Sequence, residues 1–282
     1  PYARPGLAGD DHGPADTRRP GQHTLHLAGL DTEAAHLHLA VGAAQVDQAA
    51  RDQAQEALAE VIRCRESELA IEGANNLLSI IYADNQGSFL AGYIAMKLSK
   101  AGKVGMVGGN NDDTINNFMV GYKQGALYAN PQGAVLEPIY TNGNYDAPDL
   151  GKEAALSLYS QGADVVFAVA GKTGLGVFEA AAETGNYAVG VDSDQKYINP
   201  DVILCSMLKK VGDSIYDAIG SYLTDGVFEG GQIWDADMST GLVDIGYGDD
   251  TMTQQVSAEL KAEVEALKEK IVSGEIVVDS TR

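Results

Sequence analysis

The chain has 282 residues, 45% of them hydrophobic, with a formal net charge of -21, a sequence pI near 4.4 and a mean hydropathy of -0.13. Such a chain is long enough for two lobes with cores of their own, and no run approaches a membrane span. Its acidity argues against nucleic acid or an anionic membrane surface as the main partner, because both would repel it.

Residues 1–74 differ in composition from everything after them. All five histidines fall there (His12, His23, His26, His36, His38), as do six of the seven arginines, whereas the first lysine is Lys97. Residues 1–29 offer Pro, Gly, Asp and His without periodicity and read as loop or disorder. Ala-rich stretches over residues 33–62 have helical spacing, and no strand pattern opens an α/β lobe. His36 and His38 are two apart, which on a helix points the rings to different faces, so a metal site is disfavoured. The chain opens without an initiating Met or a signal peptide, and reads as processed, truncated or incompletely framed.

From Asn75 the pattern becomes regular. Residues 77–82 are a predicted strand, and Ala83-Asp84-Asn85-Gln86-Gly87-Ser88 reads as a loop leading into a helix that carries Phe89, Leu90, Tyr93 and Ile94. Residues 104–107 form the next strand, followed by the loop Gly108-Gly109-Asn110-Asn111-Asp112-Asp113 and a helix over 114–129 with Ile115, Phe118, Met119 and Tyr122 on one face. Residues 135–140 read as a strand, 141–148 as a loop and 150–160 as a helix. Residues 165–169, a short β-branched run, suit a strand buried on both faces of a parallel sheet. After the turn at Gly171, a helix runs to Gly185, and residues 188–191 begin another strand. Strands over 202–207, 232–235 and 242–247 and helices over 213–223 and 257–272 complete the chain. Alternating strands and helices imply an α/β fold with parallel sheets and right-handed crossovers. The Gly171 turn and the Asp192-Ser193-Asp194-Gln195 loop then lie side by side at the carboxyl edge, where such sheets bind ligands.

Candidate chemistry is sparse. Ala170-Gly171-Lys172-Thr173 resembles the end of a phosphate-binding loop, but Val166 stands where the pattern needs glycine. Gly171 and the following helix still offer backbone N–H groups to a polar ligand. The glycines from Gly102 to Gly109 miss the dinucleotide spacing. Asp192 and Asp194 begin like a calcium loop, which Lys196 and Tyr197 then break. Asp112 and Asp113 read chiefly as helix caps before Ile115. No histidine follows residue 38, which removes the commonest activators of Ser or Cys nucleophiles from the regular part of the chain. Cys64 and Cys205 are too few and too far apart for a disulfide framework or a metal site, and read as unpaired small apolar residues.

Several motifs occur in the order and spacing of one family: Gln86-Gly87-Ser88-Phe89-Leu90-Ala91-Gly92-Tyr93, Lys103-Val104-Gly105-Met106-Val107-Gly108-Gly109, Gln161-Gly162-Ala163-Asp164-Val165, Gly174-Leu175-Gly176-Val177, Gly190-Val191-Asp192-Ser193-Asp194-Gln195 and Ser206-Met207-Leu208-Lys209. Over residues 75–247 the chain resembles the basic membrane protein family, the purine-nucleoside-receptor-like binding lipoproteins of bacterial ABC importers. The resemblance implies a type I periplasmic-binding fold of two doubly wound lobes joined by a hinge, and a non-enzymatic receptor without cofactor or metal. It implies a nucleoside ligand, permease subunits as partners, and an extracytoplasmic location through a lipid anchor on the complete protein. It assigns Asp192 and Lys209 to the ribose hydroxyls. A carboxylate accepts from vicinal hydroxyls and an ammonium donates to them. Phe118, Phe167 and Tyr145 are candidates for stacking the base, and the Gly171 backbone for a further polar contact.

Residues 1–74 match nothing in the family and read as a shifted frame or unrelated sequence. Residues 75–252 form the binding-protein-like region, with an intact second lobe over about 84–192 and a first lobe lacking its leading strands, and residues 253–282 are a C-terminal helix and tail. The alternative on the same fold is a cytoplasmic ligand-sensing transcriptional regulator. An enzyme acting on nucleosides is the third class, against which the missing catalytic constellation counts.

Overall fold

The computed structural model describes residues 76–281. The readings made for residues 1–74, including the histidine pairs and Cys64, lie outside them. In chain order the described elements are β1 (Ser79–Tyr82), α1 (Asp84–Leu98), β2 (Lys103–Gly108), α2 (Asp113–Ala129), β3 (Ala134–Val135), β4 (Ile139–Tyr140), α3 (Pro148–Ser160), β5 (Val165–Val169), α4 (Leu175–Thr184), β6 (Tyr187–Asp192), β7 (Ile203–Lys209), α5 (Val211–Asp225), β8 (Ile233–Ala236), β9 (Val243–Gly246) and α6 (Ala258–Val272).

Two sheets result. The main sheet has seven strands in the order β3-β2-β5-β6-β7-β9, with β4 also paired to β2, and a separate two-stranded sheet joins β1 to β8 in parallel. The β2, β5, β6 and β7 pairings are parallel, as expected. The β7–β9 pairing is antiparallel, which the alternating pattern did not predict. The main sheet takes in β7 and β9, which follow residue 192 in the chain.

Successive residues of a strand point to opposite faces, and β5 shows what that does to a continuous apolar run. Val165, Phe167 and Val169 join a core with Phe89, Ile94, Tyr122 and the inner side of α6, while Val166 and Ala168 join a second core with Leu158, Val177 and Phe178. Both faces are covered, so all five residues are buried.

Helices α1 and α2 pack through glycines. A Cβ at Gly125 would sit 1.8 Å from the Phe89 carbonyl oxygen, one at Gly121 2.0 Å from that of Asn85, and one at Gly92 2.0 Å from that of Tyr122. Backbone meets backbone along this seam, which only glycine permits.

Several boundaries differ from expectation for local reasons. The α1 helix begins at Asp84, five residues before Phe89, because Asn85 and Gly87 are held in the helix by tertiary contacts: the Asn85 amide donates to Val278 and Asp279, and the side chains of Met207 and Val243 fill the space beside Gly87. The expected strand over 135–140 is two short pieces, since Pro138 between them has no N–H for the ladder. Asp112 caps α2 by accepting from the Ile115 N–H at 2.9 Å, and Gly185 ends α4 at φ 68, both as read from the sequence.

Asp244 on β9 ties the sheet to its surroundings, accepting from Lys268 of α6 at 2.7 Å and from Lys210 at 3.4 Å. Burial alone would raise its pKa, but the bond from Lys268, the Ile245 N–H and the charges of Lys268 and Lys210 hold it below the ordinary 3.8. The resulting stabilisation is therefore present above pH 3.8 and is lost as pH falls through the folded-state value. Asp244→Asn is expected to cost about 2 kcal/mol at pH 7 in urea denaturation, with its deficit against wild type shrinking below pH 3.8. Gly125→Ala, which would gain about 1 kcal/mol in an exposed helix, is instead expected to lose about 1–3 kcal/mol in the same measurement.

Candidate functional site

The carboxyl ends of β2, β5, β6 and β7 follow one another along the main sheet and bring Gly109, Gly171, Asp192 and Lys209 to one edge. With neighbouring strands about 4.8 Å apart, this row spans about 14 Å.

At the β7 end, the Lys209 ammonium lies 3.5 Å from an Asp192 carboxylate oxygen and 3.6 Å from one of Asp84. It also sits 5.4 Å from the centre of the Phe118 ring and 5.6 Å from that of Tyr82, within range of cation–π attraction. Burial would lower the Lys209 pKa, but Asp84, Asp192 and Tyr82 outweigh it and raise the value above the ordinary 10.5. The Tyr82 hydroxyl shares a hydrogen bond with Ser214 on α5, which fixes the ring.

The two carboxylates differ. The Asp84 side chain is only 2% exposed, at the first residue of α1, where the helix dipole favours an anion. Asp192 is 53% exposed, so its carboxylate faces solvent beside the ammonium. Its backbone is unusual, with φ 65 in the left-handed region and a tight turn closed by the Ser193 N–H to the Val191 carbonyl at 2.8 Å. Such a conformation stores about 1–3 kcal/mol and persists only where neighbours impose it.

The residues that follow impose it. Gln195 accepts from the Val191 N–H at 2.8 Å and donates its own N–H to the Ser206 hydroxyl at 3.0 Å. Asp194 accepts from the Gly248 N–H at 2.7 Å and the Lys196 N–H at 3.1 Å, so its carboxylate serves the loop. Lys196 is fully buried and donates to the carbonyls of Ile203 and Pro200 and to Gln255. Burial lowers its pKa, while the oxygens around it accept the ammonium's hydrogen bonds.

At the β2 end, Tyr145 lies over two glycines. A Cβ at Gly109 would fall 2.0 Å from its ring, and one at Gly171, where φ is 56, 3.5 Å from it. The loop that carries the ring is fixed by buried Thr173, whose hydroxyl donates to the Asn144 carbonyl at 2.7 Å and accepts from the Ala147 N–H at 2.8 Å. The Thr173 N–H donates to the Tyr145 carbonyl at 3.1 Å. Tyr145 is 41% exposed.

Of the residues expected from the sequence, Asp192 and Lys209 come together, and so do Gly171 and Tyr145. Phe118 lies beneath Lys209 but is 2% exposed, so it supports the ammonium and does not offer an open ring face. Phe167 is corrected: it is fully buried, stacked on Tyr122 at 5.1 Å and tilted against Phe118 at 6.3 Å, in the core on the α1–α2 face. Asp84 and Tyr82 join the site without a motif that marks them: a strand ending at Tyr82, followed by Ala83-Asp84-Asn85, has the form of an ordinary strand-to-helix connection. Cys205 is buried, its thiol pushed up to about 12 by burial, which suits an unreactive core residue. Among the described residues no cluster of His, Cys, Asp and Glu is arranged to hold a metal ion, and no helix is long and apolar enough to cross a membrane.

Removing the ammonium would take the lysine counter-charge from the buried Asp84 carboxylate. Lys209→Met is expected to destabilise the protein by about 3 kcal/mol, and Asp84→Asn added to it to recover most of that loss, both read from chemical denaturation.

Comparison with known proteins places residues 56–282 in a family described as ABC transporter substrate-binding protein PnrA-like. The match begins ahead of Asn75, where the sequence reading started its resemblance. Basic membrane protein D of Borreliella burgdorferi is 41% identical over 180 residues, covering 63% of this chain and 51% of the relative. Basic membrane protein A1 of Borrelia garinii subsp. bavariensis is 36% identical over 205 residues, covering 72% and 59%. The chain thus spans little more than half the length of the curated relatives it matches. Among solved structures, an ABC transporter system solute-binding protein from Aeropyrum pernix K1 superposes with a TM-score of 0.64 at 25% identity, covering 75% of this chain and 70% of that one.

Proposed function

The chain belongs to the family of PnrA-like ABC transporter substrate-binding proteins, and from that premise we propose that it captures a nucleoside with a purine base and delivers it to the permease of an importer. The complete protein works at the extracytoplasmic face of the cell membrane, held there by a lipid anchor. The resemblance motivates that placement, and the relatives' description as basic membrane proteins supports it.

The observation that carries the reading is the division of labour along the sheet edge. One end presents the Lys209 ammonium with the exposed Asp192 carboxylate beside it, a donor and an acceptor suited to vicinal ribose hydroxyls. Further along the strand ends, over the ends of β2 and β5, Tyr145 presents a flat ring on a loop fixed by Thr173, suited to stacking a base. The Gly171 backbone lies beside that ring. A nucleoside has a polyol at one end and an aromatic ring at the other, and the site has matching ends in one row. Closure of a partner lobe over this edge would bury the ligand and create the surface the permease reads.

The test is a thermal-shift panel of adenosine, guanosine, inosine, cytidine, uridine and free ribose. Purine nucleosides are expected to stabilise the protein, by about 2.7 kcal/mol at a hundred times the dissociation constant. Asp192→Ala is expected to remove the shift, and Tyr145→Ala to weaken binding about tenfold. A cooperative melt with no shift from any nucleoside, or with equal shifts from ribose and nucleosides, would contradict the reading.

A further inference from the structure

The C-terminal tail after α6 follows an ordered path that the binding site does not itself require. The Asn85 side-chain amide donates to the carbonyls of Val278 at 3.1 Å and Asp279 at 3.0 Å. Gln124 grips the same stretch from α2, donating to the Val277 carbonyl at 3.0 Å and accepting from the Asp279 N–H at 2.8 Å. Asn117 accepts from the Ser280 hydroxyl at 2.9 Å and the Thr281 N–H at 3.2 Å, and the Thr281 hydroxyl donates to the Asp113 carbonyl at 2.7 Å. Val278 is buried in the core between these contacts.

Two of the gripping residues are the chain neighbours of site residues: Asn85 follows Asp84, and Asn117 precedes Phe118. Both are buried, at 8% and 1% exposure, so their amides depend on the tail for these bonds. The tail also crosses the seam where Gly121 of α2 meets the Asn85 carbonyl.

We propose that residues 277–281 act as a strap that sets the register of the α1 and α2 amino-terminal turns and so positions Asp84 and Phe118 around Lys209, with Asn85 and Asn117 as its positioning residues. This rests on the nucleoside reading for what the Lys209 end binds, but the strap is a property of this chain's own packing. Through Asp84 the strap acts on the polyol end of the site, whereas Tyr145 and its Thr173-fixed loop lie on other elements. Loosening the strap therefore moves one end and leaves the other in place.

The experiment compares Asn85→Ala, and a chain ending at residue 279 as a milder variant, with wild type. Calorimetry with a purine nucleoside and with its free base is the first measurement. The strap predicts a loss of about tenfold for the nucleoside with unchanged affinity for the base, whereas a merely structural tail would weaken both equally. Hydrogen exchange on the ligand-free proteins is the second. Amides of residues 84–89 and 113–118 are expected to exchange about tenfold faster, with those of β5 and β6 unchanged. Equal losses for nucleoside and base, or uniform or absent changes in exchange, would overturn the proposal. Should wild type bind neither compound, the nucleoside reading fails, and the exchange pattern alone decides for or against the strap.

Discussion

The charged end of the candidate site depends on one cation held between two unequal anions. Lys209 ends β7, Asp192 ends β6 and Asp84 opens α1, so three elements converge on one ammonium. A nearly inaccessible carboxylate such as Asp84 is costly unless a counter-charge stands beside it. Lys209 supplies that charge and is thereby fixed in place, leaving the exposed carboxylate of Asp192 to turn outward. The buried carboxylate holds the lysine, and the exposed one keeps the arrangement open to solvent.

The surrounding fold explains how the charges come so close. Glycines along the α1–α2 seam let two helix backbones touch, which places Phe118 beneath the ammonium and Asp84 at its side. The hydrogen bonds of Asp194, Gln195 and Lys196 hold Asp192 in a left-handed conformation that aspartate tolerates better than most residues. The row of strand ends then sets the distance from this charged pole to the Tyr145 ring. The same parallel order that gives the sheet two buried faces gives the edge its length.

Much of this is legible in the sequence where the cause is local. The β5 run, the Gly185 cap of α4 and the Asp112 cap of α2 each need only a few adjacent residues, and the motifs around Asp192 and Lys209 mark two side chains that the fold brings within 3.5 Å of each other. Asp84 was not legible in the same way, because a polar residue before a helix looks alike whether it caps, faces solvent or meets a lysine 125 positions later. Phe167 was misplaced because a strand buried on both faces carries no polar alternation to say which side each ring takes. The antiparallel direction of β9 is not legible because strand direction is decided by distant partners, whereas the break at Pro138 follows from its missing N–H alone.

The most direct measurement is the ammonium signal of Lys209 in lysine-labelled protein, followed by nuclear magnetic resonance during titration with a purine ribonucleoside and then with its 2′,3′-dideoxy counterpart. The account predicts that the ribonucleoside shifts the Lys209 signal as it binds, while the counterpart without vicinal hydroxyls binds weakly and leaves the signal in place. Tight binding of both, or binding that leaves Lys209 unmoved, would contradict a site organised around this lysine and its two carboxylates.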